Sequence, residues 1–162
     1  MLKKAQKEID FHIGKERNVE ETDINNLGYL QAIVKEALKL YPPLPLGLPH
    51  VAIEDCTVGG LRIPSRHTCF IEFMETTSGS ICLVIYPLEF QPERFLTSHA
   101  VVNVRGQHVE LLPFGVGKRS CPRTSFSLNI IHLALGRLVH GFEMTAPSEM
   151  PVDMTSHSVE LP

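Results

Sequence analysis

Cys121 is the residue whose type and surroundings most favour chemistry. It follows a glycine-rich loop, residues 114–120, and precedes Pro122, which we predict to be the first residue of an apolar helix because its fixed φ suits that position. A cysteine there faces unpaired backbone N–H groups and the positive end of the helix, and Lys118 and Arg119 add charge. These features favour the thiolate, the form that binds metals. The alternative is a buried, inert cysteine in a helix cap.

Glu36 and Lys39 form a second pair of interest. Their i,i+3 spacing places both side chains on one face of a predicted helix, where opposite charges attract. A pair of this kind is ordinary on a helix surface, so the spacing alone favours a solvated ion pair. The spacing does not predict Arg94, within the block Pro92–Phe95, as a partner of Glu36 and Lys39.

The elements that must position these residues are predicted to be mainly helices. Proline, glycine and apolar spacing set their bounds. We expect helices at 2–14, 27–40 and 126–139, a short helix opened by Thr22, an extended stretch at 42–49, a hairpin around Gly59-Gly60 within 51–63, a turn-rich segment at 86–113 and a loose tail at 145–162. The 126–139 helix is apolar enough to be buried.

Composition limits the class of protein. The chain has 162 residues, which suits one domain, and its net charge of −3 argues against nucleic acid as the main partner. Its four cysteines include no CxxC pair, so free thiols are the default. No apolar run reaches the length of about 18 residues that a membrane span needs. The N-terminus is a charged helix start rather than a signal peptide.

The pattern Phe114-x-x-Gly117-x-Arg119-x-Cys121-Pro122 resembles the haem-binding loop of the cytochrome P-450 family. The resemblance implies that Cys121 is the thiolate ligand of a haem iron. It implies that Phe114 packs beside the cysteine, that Gly115 and Gly117 allow a tight turn and direct amides toward the sulfur, and that Arg119 binds a haem propionate.

Further blocks resemble the branch of this family that modifies specialised metabolites in plants. They include residues 23–45, 54–56 and 87–95. In the family a helical Glu-x-x-Arg and a later Arg form a buried ion network, which matches Glu36, Lys39 and Arg94; lysine keeps the charge but loses the planar fork. His50 stands where the family has an arginine that contacts a propionate. Arg123 stands where the family has glycine, and should crowd the haem unless it swings to a propionate.

The resemblance implies a mainly α fold with a small β portion (α+β), of which residues 1–162 would be an incomplete C-terminal, haem-binding part. It implies a haem-thiolate monooxygenase that acts on a small organic substrate, with electrons from NADPH through a reductase, at the endoplasmic reticulum membrane. We expect the oxygen-activating helix, the substrate contacts and the membrane anchor to lie upstream. The exposed core-facing surfaces of the 27–40 and 126–139 helices would then lack partners. The alternatives are a truncated, inactive gene product that binds haem weakly or not at all, and a helical interaction module.

Residues 66–85 depart from the family. The genetic code permits codons for this stretch that, read one nucleotide later, give a family-like sequence beginning Gly-Thr-Arg. At the position of Met74 the shifted frame can encode only Trp. We therefore hypothesise a local frameshift within the aberrant stretch 65–86. Its charged and polar side chains would enter positions meant for a strand and a short helix, so we expect disorder or an expelled loop.

Overall fold

The computed structural model describes residues 1–45, 47–70, 89–108 and 111–144. Within these ranges the helices are α1 (Leu2–Ile13), α2 (Gly28–Leu40) and α3 (Thr124–Gly141), with 3₁₀ helices at Glu21–Asn26, Pro92–Leu96 and Gly117–Arg119. The strands are β1 (His50–Val51), β2 (Cys56–Val58), β3 (Leu61–Ile63) and β4 (Thr68–Cys69). This architecture confirms the prediction of a mainly helical fold with a small β portion.

The first helix is an amphipathic element that ends as predicted. Gly14 has a φ of 77° and its amide donates to Asp10 O, which closes α1 one residue before the expected end. Ala5 and Ile9, at i and i+4, are the buried residues of α1. The remaining surface is largely Lys, Gln and Glu, so α1 packs on the domain through one face.

The amino terminus of α2 is capped by another helix rather than by its own flanking residues. The Glu8 carboxylate of α1 accepts the amides of Tyr29 at 2.7 Å and Leu30 at 3.0 Å. A carboxylate at this position satisfies orphan N–H groups and meets the positive end of the helix dipole. Glu8 therefore fixes α1 against α2 through charge-assisted hydrogen bonds.

The central helix α2 is covered on most of its surface. Its buried residues include Leu30, Val34 and Leu38 and also the charged Glu36 and Lys39. The contacts come from α1, α3 and the 3₁₀ helices Glu21–Asn26 and Pro92–Leu96. The expectation that the core-facing surface of this helix would lack partners is therefore wrong, because these four elements contact it.

The last helix differs from its prediction in two respects. It begins at Thr124, with Arg123 as its N-cap, and not at Pro122. It is also only partly buried: His132, Gly136 and Val139 face the core, whereas Phe126, Ile130 and Leu138 are each at least half exposed. Its largely apolar sequence does not reveal this asymmetry. The expectation of an uncovered apolar surface on this helix is confirmed.

The strands form two separate antiparallel pairs. The β2–β3 hairpin turns at Gly59-Gly60, as predicted, and β1 pairs with β4 so that His50 faces Cys69. The stretch 42–49 is not wholly extended, because Gly47 N–H donates to Leu44 O and closes a turn. The predicted disorder of 66–85 falls largely on residues 71–85, which lie outside the described residues, as does the predicted loose tail. No helix in the described ranges combines the length and hydropathy that crossing a membrane requires.

Arg66, the first residue of the aberrant stretch, has an unusual backbone. Its φ is 64°, in the left-handed region, and it precedes His67, whose amide donates to Pro64 O across a turn. This third turn position favours glycine, since a Cβ is strained there. The shifted frame provides a glycine in place of Arg66, which supports the frameshift hypothesis.

We therefore expect Arg66→Gly to stabilise the chain by up to about 1 kcal/mol, because relief of left-handed strain exceeds the added entropy of the unfolded chain. The Arg66 side chain is exposed, so little packing is lost. Urea unfolding measures the change. Ser65→Gly, one turn position earlier and without a positive φ, should destabilise; stabilisation by both substitutions would contradict the strain.

Candidate functional site

The loop before α3 is closed by backbone hydrogen bonds. Cys121 N–H donates to Phe114 O at 2.9 Å, Gly115 N–H to Leu112 O at 3.1 Å and Ser120 N–H to Gly117 O at 3.2 Å. Gly115 and Gly117 have φ values of 73° and 69°, which glycine adopts without strain. Phe114 packs against the core cluster that contains Val34 and Leu38. The predicted loop residues are thus brought together around Cys121.

Cys121 lies just before the last helix and not in its first turn. Its carbonyl accepts the Thr124 hydroxyl at 2.8 Å and the Thr124 amide at 3.4 Å, while Pro122 and Arg123 form the intervening turn. The prediction that Pro122 starts the helix is therefore wrong, because the Thr124 side chain bonds backward and delays it. Cys121 is half-buried.

The cationic side chains near the cysteine point away from the core. Lys118 and Arg119, in the Gly117–Arg119 helix, are exposed, which leaves Arg119 accessible to an anionic group. Arg123 is exposed as well, and its guanidinium lies 5.9 Å from the centre of the Phe126 ring. The guanidinium therefore lies near the Phe126 ring, and the effect of Arg123 on a bound haem stays a prediction.

His50 belongs to the small β portion of the structure. It is half-buried in β1, where it faces Cys69, and among the described elements β1 contacts only β4. The predicted role of His50 at a propionate therefore stays a prediction.

The predicted ion network is present and buried. Lys39 Nζ lies 3.4 Å from Glu36 Oε1, and Arg94 Nε lies 3.2 Å from Glu36 Oε2. All three residues are at most 5% exposed. Arg94 also donates to backbone oxygens, Nε to Gln91 O and Nη2 to Glu89 O, each at 3.1 Å. The network joins α2 to the Pro92–Leu96 helix.

The buried carboxylate of Glu36 is imperfectly satisfied. The Arg94 Nε–H is directed at Gln91 O, so Glu36 Oε2 receives charge but makes no hydrogen bond within the described part of the chain. Both distances exceed the roughly 2.7–2.9 Å of strong charge-assisted bonds. A lysine at position 39 cannot supply the second donor of an arginine fork, which accounts for a loose contact.

Sequence reasoning missed a pair of basic residues beneath the site. Lys35 of α2 donates to Val102 O at 2.9 Å and lies 5.6 Å from the Phe95 ring, and burial lowers its pKa. His132 of α3 is buried, which lowers its pKa; a hydrogen bond to Leu128 O opposes this, and the Lys35 charge adds to it. Hydropathy patterns give no signal for such a pair, because both residues read as polar.

The buried histidine predicts an acid-sensitive fold. Its pKa in the folded chain is below the ordinary 6.5. As the pH falls, the unfolded chain therefore takes up a proton at this residue before the folded chain does. The part of the free energy of unfolding that depends on neutral His132 is fully present above pH 6.5 and decreases as the pH drops through that value. Urea unfolding between about pH 7 and pH 5 should show this loss, a window above the titration of most carboxylates. His132→Gln should flatten the slope, whereas substitution of the exposed His12 should not; equal slopes would contradict the prediction.

Comparisons with known proteins give the family of the chain. A sequence model described as cytochrome P450 matches residues 1–161. Vinorine hydroxylase of Rauvolfia serpentina is 54% identical over 155 residues, which cover 96% of this chain and 32% of that protein. A flavonoid-6-hydroxylase of Ocimum basilicum is 49% identical, covering 96% and 29%.

A solved structure gives the fold. A zebrafish cytochrome P450 solved with abiraterone superposes with a TM-score of 0.73 at 27% identity, covering 86% of this chain and 31% of that one. The chain therefore spans about a third of the length of the proteins it matches. These matches confirm the predicted plant branch and fold class.

Proposed function

Because this chain belongs to the cytochrome P450 family, we propose that it forms the thiolate side of a haem site in a monooxygenase. The full reaction inserts one oxygen atom into a small organic substrate and takes electrons from NADPH through a reductase. Relatives named as hydroxylases of vinorine, xanthotoxin and flavonoids suggest a plant specialised metabolite as the substrate class. We propose the endoplasmic reticulum membrane as the site of the whole protein.

The observation that carries this proposal is the closed loop that presents Cys121. The Cys121 amide donates to Phe114 O, two glycines adopt left-handed φ values, and Cys121 is only half-buried. Structural cysteines are usually inert within a core, whereas a ligand must face outward from a fixed backbone. Cys121 would bind the haem iron, and the bound group would supply oxygen activation.

The surrounding residues fit a flat, partly apolar and anionic group. Phe126, Ile130 and Leu138 leave apolar area exposed on α3, the helix that follows the ligand. Arg119 is accessible for a charge-assisted bond to a propionate, and we propose His50 as a second contact. Phe114, packed on the core, would exclude water beside the sulfur. Glu36, Lys39 and Arg94 would hold the core beneath the loop.

A second candidate is a non-catalytic gene product of the same family. The positive φ of Arg66 supports a frameshift, and the loose contacts of Glu36 with Lys39 and Arg94 are those of a weakened network. A chain of this kind would bind haem weakly or not at all.

A carbon monoxide difference spectrum separates the two candidates. The purified chain is titrated with hemin, reduced and exposed to carbon monoxide. We expect a Soret band at the wavelength from which the family takes its name, because that position requires a thiolate ligand. Hemin uptake without this band, or no uptake, would favour the non-catalytic product.

A further inference from the structure

Gly106 makes a close contact with the cysteine loop that its sequence position does not reveal. Its φ is 77°, and a Cβ built on it would lie 2.9 Å from Gly115 O and 3.3 Å from Val116 Cα. Both are backbone atoms, so they cannot swing aside as the end of a flexible side chain can. Conformation and space thus both require glycine at position 106.

The segment that carries Gly106 is anchored to the core. We call residues 103–107 the Asn103 turn. Asn103 Oδ1 accepts the Arg105 amide at 3.0 Å, and Asn103 Nδ2 donates to Gln107 Oε1 at 3.0 Å. The flanking Val102 and Val104 are buried in the cluster that also contains residues of α2. The turn is therefore a fixed surface rather than a freely moving loop.

The contact reaches the proposed ligand through two adjoining peptide units. Gly115 O, which faces Gly106, belongs to the peptide between Gly115 and Val116. Gly115 Cα joins that peptide to the one that contains Phe114 O, the acceptor of the Cys121 amide at 2.9 Å. A shift of Gly115 away from position 106 would therefore rotate or displace the group that holds the Cys121 backbone. The loop is held on its other side by the Gly115 amide, which donates to Leu112 O at 3.1 Å.

We propose that the Asn103 turn, through Gly106, is a positioning element that fixes the thiol of Cys121. What this thiol binds rests on the proposed function, but its fixed placement does not. Gly106 acts through the loop backbone and touches no reacting atom, so it is a positioning residue.

The test measures the Cys121 thiol without haem. The haem-free chain is treated with iodoacetamide, and mass spectrometry of peptides gives the alkylation rate of each cysteine. In Gly106→Ala, we expect the rate at Cys121 relative to Cys69 to change by about threefold or more, because local displacement alters access to the thiol. Gly60→Ala is the matched control: its φ is 82°, and a Cβ there meets nothing within 4 Å. Its ratio should equal that of the unmodified chain.

A second variant covers the case in which Gly106→Ala does not fold. Asn103→Ala removes both hydrogen bonds that hold the turn without adding a clash, so the alkylation rate of Cys121 relative to Cys69 should change in the same direction as in Gly106→Ala. Asn103→Asp keeps the Oδ1 acceptor, so its ratio should be close to that of the unmodified chain. General destabilisation would raise the rates of both cysteines together and leave the ratio unchanged. An unchanged ratio in a folded Gly106→Ala or Asn103→Ala chain overturns the proposal, and so does an equal change in Gly60→Ala. Since no haem is present, these outcomes are independent of the difference spectrum.

Discussion

Replacing Cys121 by serine is expected to abolish the carbon monoxide band that names the family and to weaken hemin binding by at least about tenfold, since loss of an outer-shell partner alone costs that much at many metal sites. A serine hydroxyl remains protonated at neutral pH and cannot donate the charge of a thiolate. The substitution changes one atom, and the amide that bonds to Phe114 O is retained. The loop backbone should therefore persist while the ligand is lost.

The control for this experiment is Cys69→Ser. Cys69 is half-buried, as Cys121 is, but lies in β4 opposite β1. It should leave both the band and the hemin affinity unchanged, which separates a specific ligand from adsorption of hemin at any accessible thiol. If the chain binds hemin equally before and after Cys121→Ser, the thiolate site does not exist in this molecule.

Replacing Glu36 by glutamine is expected to destabilise the chain by about 3–5 kcal/mol, the cost of removing one partner from a buried ion network. Glu36 is 0% exposed and is the shared counter-charge of Lys39 and Arg94. Glutamine keeps the shape of the side chain but removes its charge, so two buried cations lose their common anion. The urea midpoint of the haem-free chain measures this effect, which the difference spectrum does not.

Lys4→Ala is the control for Glu36→Gln. Lys4 Nζ lies 2.7 Å from Glu93 Oε1, closer than either contact of Glu36, but both side chains are largely exposed. Water screens such a pair, so its loss should change the midpoint little. Comparison of the two variants separates the effect of burial on stability from the effect of the distance between the charged atoms. Equal shifts would contradict the claim that the Glu36 network supports the core.

The sequence predicted most of the local structure. Gly14 ends α1, Pro42 follows the end of α2 and Gly59-Gly60 turn the hairpin, because each depends on the conformational limits of one or two residues. The cysteine loop was also predicted, since its glycines and Cys121 lie within a few residues of one another. The pairing of Glu36 with Lys39 follows from helical spacing alone.

Tertiary contacts determined the features that the spacing of residues along the sequence cannot predict. Glu8 caps α2 from another helix, and Gly106 approaches Gly115 across nine positions of sequence. Each of these depends on which surfaces meet.

The charged residues show the same difference between what the local sequence predicts and what tertiary packing determines. The sequence by itself determined that Glu36 and Lys39 share a helix face and that Cys121 ends a tight loop, because backbone geometry over a few residues fixes both. The family resemblance implied that the pair is buried with Arg94. Only the tertiary structure decided which elements enclose Glu36 and Lys39, and which side chains of α3 stay exposed. The physical reason is that burial is a property of neighbouring elements, whose contacts no local pattern records.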